Sequence, residues 1–473
     1  MSQIVNSRSF SPRMRILLVN LNTVADPFPV FPLGLAYVRE ALEAEGHAVD
    51  VFDDLLEDVD AFPGRVRDFV PDVIGFSLRN IDNVRADDAV SYIEGLRARV
   101  LTARAAVPAK IVFGGAGFSI FPEEILRLTG ADYGISGEGE AAFPALARIL
   151  AGDGGDPADV PGLLHRRDGR IHRVPPQPAV RHACPPFNPG PAWVEAYRER
   201  GAIFNVQTQR GCPLHCSYCT YPLIEGSRRR LRDYGRVVEE MRRWRELGVR
   251  YVFVVDSVLN TTAEHMRGLG EAILAAGVEI QWGCFLRPHR INADDLRRLR
   301  EAGLRHIEFG SDSFSDTMLK AYGKSFTFSM IADASAAAEA AGVHYCHFLI
   351  PGGPGETRKT LDETFERAES LPGGVFFAFP GVRVYPGTPL WHQLRAHGTG
   401  LPDNLLAPWF YIEEGLTVEE INGLLRQQSR RDPRWVPSEL PAQFGALAAR
   451  FRKRGIEGPL WEYFPLMNRF AGS

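Results

Sequence analysis

The segment Arg210-Gly-Cys-Pro-Leu-His-Cys-Ser-Tyr-Cys-Thr220 holds Cys212, Cys216 and Cys219 in a CxxxCxxC spacing, directly after the apolar, strand-like run 202–206. Three thiolates this close can bind three corners of a cubane iron–sulfur cluster and leave the fourth iron open to another ligand. An open iron turns an electron carrier into a catalyst. A structural zinc site competes with this reading, but it needs four closed ligands, and His215 would be cramped inside the loop. A disulfide framework fits poorly with 6 cysteines in 473 residues. The first dozen residues also lack the apolar run of a secretory signal.

Downstream, strands and helices alternate from Gly201 to about Trp391. Strands are predicted at 203–209, 251–255, 280–286, 306–309, 344–350 and 374–385, with helices such as 235–246 and 330–341 between them. About six βα units suit a partial barrel, with chemistry at the carboxyl ends of its strands. Upstream, the alternation covers strands at 15–20, 48–52, 73–77, 110–113 and 133–136 and helices at 33–45, 88–103, 122–128 and 141–150. This order predicts an α/β, doubly wound, Rossmann-like parallel sheet that binds ligands beyond its strand ends. The chain thus divides into 14–155, a Pro- and Arg-rich linker at 156–198 with a hairpin near 162–174, the barrel at 199–395, and a helical region at 396–473. Cys184 in the linker, and Cys284 and Cys346 in the barrel, carry no cluster spacing.

The cysteine loop and barrel pattern resemble the radical S-adenosylmethionine (SAM) superfamily, in which SAM chelates the open iron of a [4Fe-4S] cluster. The glycine pairs Gly114-Gly115 and Gly137/Gly139, the helix start Pro32-Leu-Gly-Leu-Ala36 and the turn Gly46-His-Ala-Val-Asp50 resemble a cobalamin-binding domain. That domain is commonly fused ahead of such a barrel in class B radical SAM methyltransferases. There is no Asp-x-His-x-x-Gly to ligate cobalt, and His47 reads as a solvated surface residue. The resemblance implies cobalamin contacts from Ser77, Leu78, Arg79, Asn80, Gly114, Gly115, Ser136, Gly137, Glu138 and Gly139. Arg79 would lie under the corrin ring, where a guanidinium cannot ligate cobalt; the competing reading is an Arg79–Asp82 ion pair. It also implies SAM contacts from Tyr218, Asp256, Ser257, Arg287 and Glu308, although the family's glycines before Asp256 are missing. Arg287 and Glu308 could instead form a structural ion pair.

On strand 343–349, alternation puts Tyr345 and His347 on one face and His344 and Cys346 on the other. Tyr345 and His347 are the candidate catalytic pair; a buried, hydrogen-bonded histidine is the plainer alternative. The resemblance implies C-methyl transfer from methylcobalamin, replenished by SAM, to an unactivated carbon of a natural-product precursor, peptide or lipid. A 5′-deoxyadenosyl radical would abstract the substrate hydrogen, and a flavodoxin- or ferredoxin-like donor would supply the electron. Cyclisation or oxidative rearrangement without methyl transfer, and a sensor without turnover, are the alternatives. A methylthiotransferase is disfavoured because the first 150 residues contain no cysteine for a second cluster. The balance of 54 basic against 58 acidic residues favours no nucleic acid. No apolar run approaches the roughly 18 residues of a membrane span, so a cytoplasmic enzyme is expected.

Overall fold

The computed structural model describes residues 13–177, 187–398, 400–436 and 444–471, so Cys184 lies outside the described residues. The first sheet contains β1 (Arg15–Asn20), β2 (Ala48–Asp53), β3 (Val73–Ser77), β4 (Lys110–Gly114), β5 (Tyr133–Ile135), β6 (Leu163–Arg167) and β7 (Arg170–Arg173). Its order is β2-β1-β3-β4-β5-β6-β7. The first five strands run parallel, and β6 and β7 add an antiparallel hairpin. Apolar runs such as Ile16–Val19 are buried on both faces, as a parallel sheet covered by helices on either side requires.

Short strands β8 (Phe204–Val206), β9 (Gln209–Arg210) and β10 (Arg230–Leu231) bracket the cysteine loop. The barrel sheet continues through β11 (Tyr251–Val254), β12 (Gln281–Leu286), β13 (Leu304–Asp312), β14 (His344–Leu349) and β15 (Val375–Ala378). Beyond β16 (Val382–Arg383) and β17 (Phe410–Tyr411), which pair with each other, β18 (Trp435–Val436) closes the order β18-β15-β14-β13-β12-β11-β8. Threonine or asparagine N-caps start the helices after several of these strands: Thr262, Asn292 and Thr357 each accept a backbone N–H of the first turn.

The structure departs from the sequence expectations in four places. The helix expected over 88–103 begins only at Leu96. Asn83 instead accepts the backbone N–H groups of Arg85 and Val90, and residues 82 and 91 form a bridge, so 83–92 is a folded loop. The strand expected over 374–385 splits into β15 and β16 at Phe379-Pro380-Gly381, where proline cannot donate to a ladder and Gly381 takes φ +85°. The helical region after 396 has its helices, Val418–Arg431 among them, and also supplies β17 and β18. His47 is 5 % exposed, so it is not a solvated surface residue.

Loop residues after β1 join the two sheets. Phe31 donates to the Ile203 carbonyl at 3.1 Å, and Ile203 donates to that of Pro29 at 2.8 Å. Deep ion pairs reinforce the junction: Asp82 with Arg383 at 2.8 Å, and Glu240 with Arg232 at 2.5 Å, Glu240 also accepting the Tyr37 hydroxyl. Burying such pairs is costly, so removing one partner leaves an uncompensated charge. The strand ends of the first sheet are thereby held against the barrel.

Candidate active site between two sheets

A cavity of about 700 Å³ lies at this junction. One wall comes from the strand ends and loops of the first sheet: Asn20, Ser77, Arg79, Gly114, Gly115, Gly137, Glu138 and Gly139. The other comes from inward-facing barrel residues, Phe253, Val255, Phe285 and Glu308. Arg210, Tyr221 and Glu225, which flank the cysteines, line it as well.

Seven of the ten expected cobalamin contacts therefore line the cavity: Ser77, Arg79, Gly114, Gly115, Gly137, Glu138 and Gly139. Leu78, Asn80 and Ser136 are not among the lining residues. Leu78 is buried and holds the next loop, its carbonyl accepting from Gly117 at 3.0 Å. A Cβ on Gly115 would stand 2.5 Å from that carbonyl oxygen, at φ +101°, so this glycine serves the backbone crossing. Ser136 is buried and donates its N–H to Gly162. Glu138 faces the cavity but is held by Arg230 and Arg210.

Arg79 points into the cavity, open to its volume yet enclosed by protein, and this burial lowers its pKa. The expected alternative, pairing with Asp82, is ruled out because Asp82 is taken by Arg383. Among the described residues no side-chain acceptor reaches the Arg79 guanidinium. A wall with an unpaired cation and glycine-rich strand ends suits a large, polar-edged cofactor.

The cysteine loop is braced from several sides. Cys212 donates its N–H to the Gly226 carbonyl at 3.0 Å, and Ser217 donates to that of Tyr322 at 3.0 Å. The three thiols lie within electrostatic reach of one another, and burial pushes Cys219 up to about 12 and Cys216 upward. Such thiols ionise when iron takes the proton's place. His215 is exposed, which removes it as an internal zinc ligand. Among the described residues no three His, Cys, Asp or Glu side chains converge on one metal ion.

The expected SAM contacts divide. The Ser257 hydroxyl is buried with no partner. Arg287 feels the fields of Cys212 and Cys216, and its guanidinium makes only 3.2–3.4 Å bonds to Ser325 and two carbonyls. It meets no carboxylate, so the expected ion pair with Glu308 is absent and a carboxylate ligand could be received. Tyr218 donates its hydroxyl to Asp312 at 2.6 Å beside the cysteines. Asp256 contradicts expectation. It is fully buried and accepts from the backbone of Thr208 and Gln209 at 2.7 and 3.1 Å, tying β8 to β11.

Glu308 lies in the middle of β13, four residues before Asp312, which is the residue that meets the cysteine loop. Its partner in β12 is Phe285, two residues before Arg287, which puts Glu308 about 7 Å along the strands from that residue. Its one described hydrogen bond comes from Trp461 Nε1 at 3.1 Å, and burial raises its pKa to about 7. Trp461 belongs to the aromatic run 459–463, which enters the barrel with Leu460 and Phe464 and covers Cys346, Val375 and Phe377. The sequence marked Trp461 only as part of an aromatic patch in the C-terminal tail, and the wall residues Phe253 and Phe285 only as strand residues.

The catalytic expectation for Tyr345 and His347 is corrected. Both face the outer helices: Tyr345 packs in the core with Ala334, Ala338 and Ala341, and His347 bonds Ser311 at 2.8 Å and Ser335 at 3.2 Å. Burial lowers His347 to about 3, so it stays neutral. The inward pair is His344 and Cys346, and the C-terminal run covers Cys346.

Residues 206–368 match the family model described as the radical SAM superfamily, and residues 20–147 match the B12 binding domain. An uncharacterised methyltransferase of Pyrococcus horikoshii is 27 % identical over 84 % of this chain and 86 % of its own length. Tryptophan 2-C-methyltransferase of Streptomyces laurentii is 26 % identical over 78 % of this chain and 73 % of its own. The solved radical SAM methyltransferase TsrM of Kitasatospora setae, with cobalamin and a [4Fe-4S] cluster bound, superposes with a TM-score of 0.84 at 22 % identity. That superposition covers 98 % of this chain and 100 % of the other, and it shows the shared fold. The two sheets, the cavity between them and the cysteine loop at its rim agree with these comparisons: the chain carries a radical SAM domain behind a B12-binding domain, with a [4Fe-4S] cluster, SAM and cobalamin as its cofactors.

Proposed function

We propose that this enzyme methylates a carbon of a small natural-product precursor, peptide or lipid that enters the barrel side of the cavity. The observation carrying this reading is the single cavity shared by the glycine-rich strand ends and the barrel's inward residues, with the cysteine loop at its rim. When bound, cobalamin supplies the methyl group, SAM replenishes it, and the cluster supplies one-electron chemistry.

The chain's own residues would divide the work. Cys212, Cys216 and Cys219 hold the cluster; Arg287 and Ser257 receive SAM; Tyr218 shapes the rim. Arg79 stands toward the corrin, where a fixed cation discourages a positively charged cobalt and offers it no lone pair. Phe253, Val255 and Phe285 exclude water from the reacting carbon. Glu308, with one oxygen held by Trp461, would accept the proton the substrate carbon loses: the C–H pair becomes the C–CH₃ bond, the methyl donor keeps the pair of the bond it gives up, and the proton resides on the carboxylate. The electron comes from an external flavodoxin- or ferredoxin-like donor in a reducing, cytoplasmic setting, with no nucleic acid involved. No helix among the described residues is long and apolar enough to cross a membrane.

The test is product mass. Reconstituted enzyme with cobalamin, SAM, reductant and candidate substrates should give a product heavier by one methylene, with S-adenosylhomocysteine formed alongside. A turned-over substrate of unchanged carbon count would support cyclisation or rearrangement instead.

A further inference from the structure

Directly behind the cysteine loop lies a buried charge pair that neither the cluster nor the cavity accounts for. The Lys324 ammonium is 2.5 Å from Asp312 Oδ2, and their side chains are 7 % and 3 % exposed. Lys324 also donates to the Gly310 carbonyl at 3.2 Å and lies 3.4 Å from the Tyr218 hydroxyl. Its charge also lies within electrostatic reach of the Cys216 and Cys219 sulfurs. The turn before it is pinned to the loop: Ser217 donates to the Tyr322 carbonyl, and a Cβ on Gly323 would stand 2.7 Å from the His215 carbonyl oxygen. Backbone contacts therefore hold Lys324 beside the cysteine loop, independent of any ligand.

Both ends of the pair face the cysteine loop: each lies within electrostatic reach of Cys216, and the carboxylate accepts the Tyr218 hydroxyl at 2.6 Å. Asp312 has φ +64°, where β13 bends out of register with β14. Aspartate and asparagine tolerate that left-handed region better than most residues.

We propose that Lys324 and Asp312 set the reduction potential of the iron–sulfur cluster as a counterpoised pair, the lysine raising it and the aspartate lowering it. Net charge and hydrogen bonds to the sulfurs are the levers by which a protein sets such potentials. Reduction adds one electron from an external donor to the cluster. A cation beside the ligand sulfurs stabilises that added charge, and a nearby carboxylate opposes it. The proposal rests on the cluster reading of the cysteines and needs neither substrate nor methyl transfer, so its fate is separable from that of the proposed reaction.

The experiment is an anaerobic redox titration of the reconstituted cluster followed by electron paramagnetic resonance, on wild type, Lys324→Met and Asp312→Asn. Iron and sulfide counts serve as the control for cluster content. Lys324→Met should make reduction harder by at least about tenfold in its equilibrium constant, a fall of about 59 mV for one electron. Asp312→Asn, which preserves the backbone preference and the acceptor for Tyr218, should shift the potential upward. Opposite shifts support the proposal. Unchanged potentials, or shifts of the same sign, overturn it. Should Lys324→Met fail to take up iron, Asp312→Asn decides alone: an upward shift supports the proposal and no shift overturns it.

Discussion

Alanine at any one of Cys212, Cys216 and Cys219 should leave the purified protein without its full cluster iron and without detectable methyl transfer. The three sulfurs are enclosed, two of them with raised pKa, and no other described cysteine is near enough to substitute. Cys284 and Cys346 lie on barrel strands, each fully buried. Cys284 packs among the outer helices and Cys346 under the C-terminal run. A structural zinc site would respond differently, because stability would fall with zinc loss while iron never entered. Iron and sulfide analysis after anaerobic reconstitution, with circular dichroism to confirm folding, separates the two. Retained iron and activity in a single alanine variant would remove that cysteine from the ligand set.

The second large effect is expected at Glu308. Glutamine keeps the size of the side chain and can still accept the Trp461 N–H, so Glu308→Gln should fold and bind its cofactors. It cannot accept a proton, and turnover should fall by about 10²-fold or more, the usual scale for removing a general base. The pH profile carries the finer test. The carboxyl is raised to about 7 by burial, so it is neutral below that pH and ionised above it. Methylation by the wild type should therefore rise through about pH 7 to a plateau, and the glutamine variant should lose that step. A Glu308→Gln enzyme with wild-type turnover would assign the carboxyl a structural part only.

Much of this architecture was legible in the sequence because it rests on local signals. The alternation of apolar runs with amphipathic stretches placed the five parallel strands of the first sheet and the strands around Phe253, Phe285 and Glu308. The cysteine spacing marked the loop, and Gly114, Gly137 and Gly139 marked strand ends that reach the cavity. Choices between faces were harder. Tyr345 and His347 form a polar pair on a strand buried on both sides, and a two-residue period cannot say which side meets helices. Asp256 follows its strand in the right place, yet its partners, Thr208 and Gln209, come from a segment 47–48 residues earlier. Lys324 lies beside Cys216 and Trp461 bonds Glu308, 108 and 153 positions away, and no spacing rule reaches that far. The loop at 83–92 defeated the helical reading because the Asn83 side chain accepts the backbone N–H groups of Arg85 and Val90 and folds the chain back before Leu96.

The central claim is that one chamber presents a corrinoid to a cluster-bearing barrel. Its most direct measurement is iron and cobalt analysis of anaerobically reconstituted protein after excess cobalamin is removed by gel filtration, with the paramagnetic resonance spectrum of the reduced, cob(II) form. About one cobalt per chain is expected together with the cluster iron, and no coupling to an arginine nitrogen, since Arg79, which faces the chamber, has no free lone pair. Zinc in place of iron, or protein that emerges without corrinoid, would contradict it.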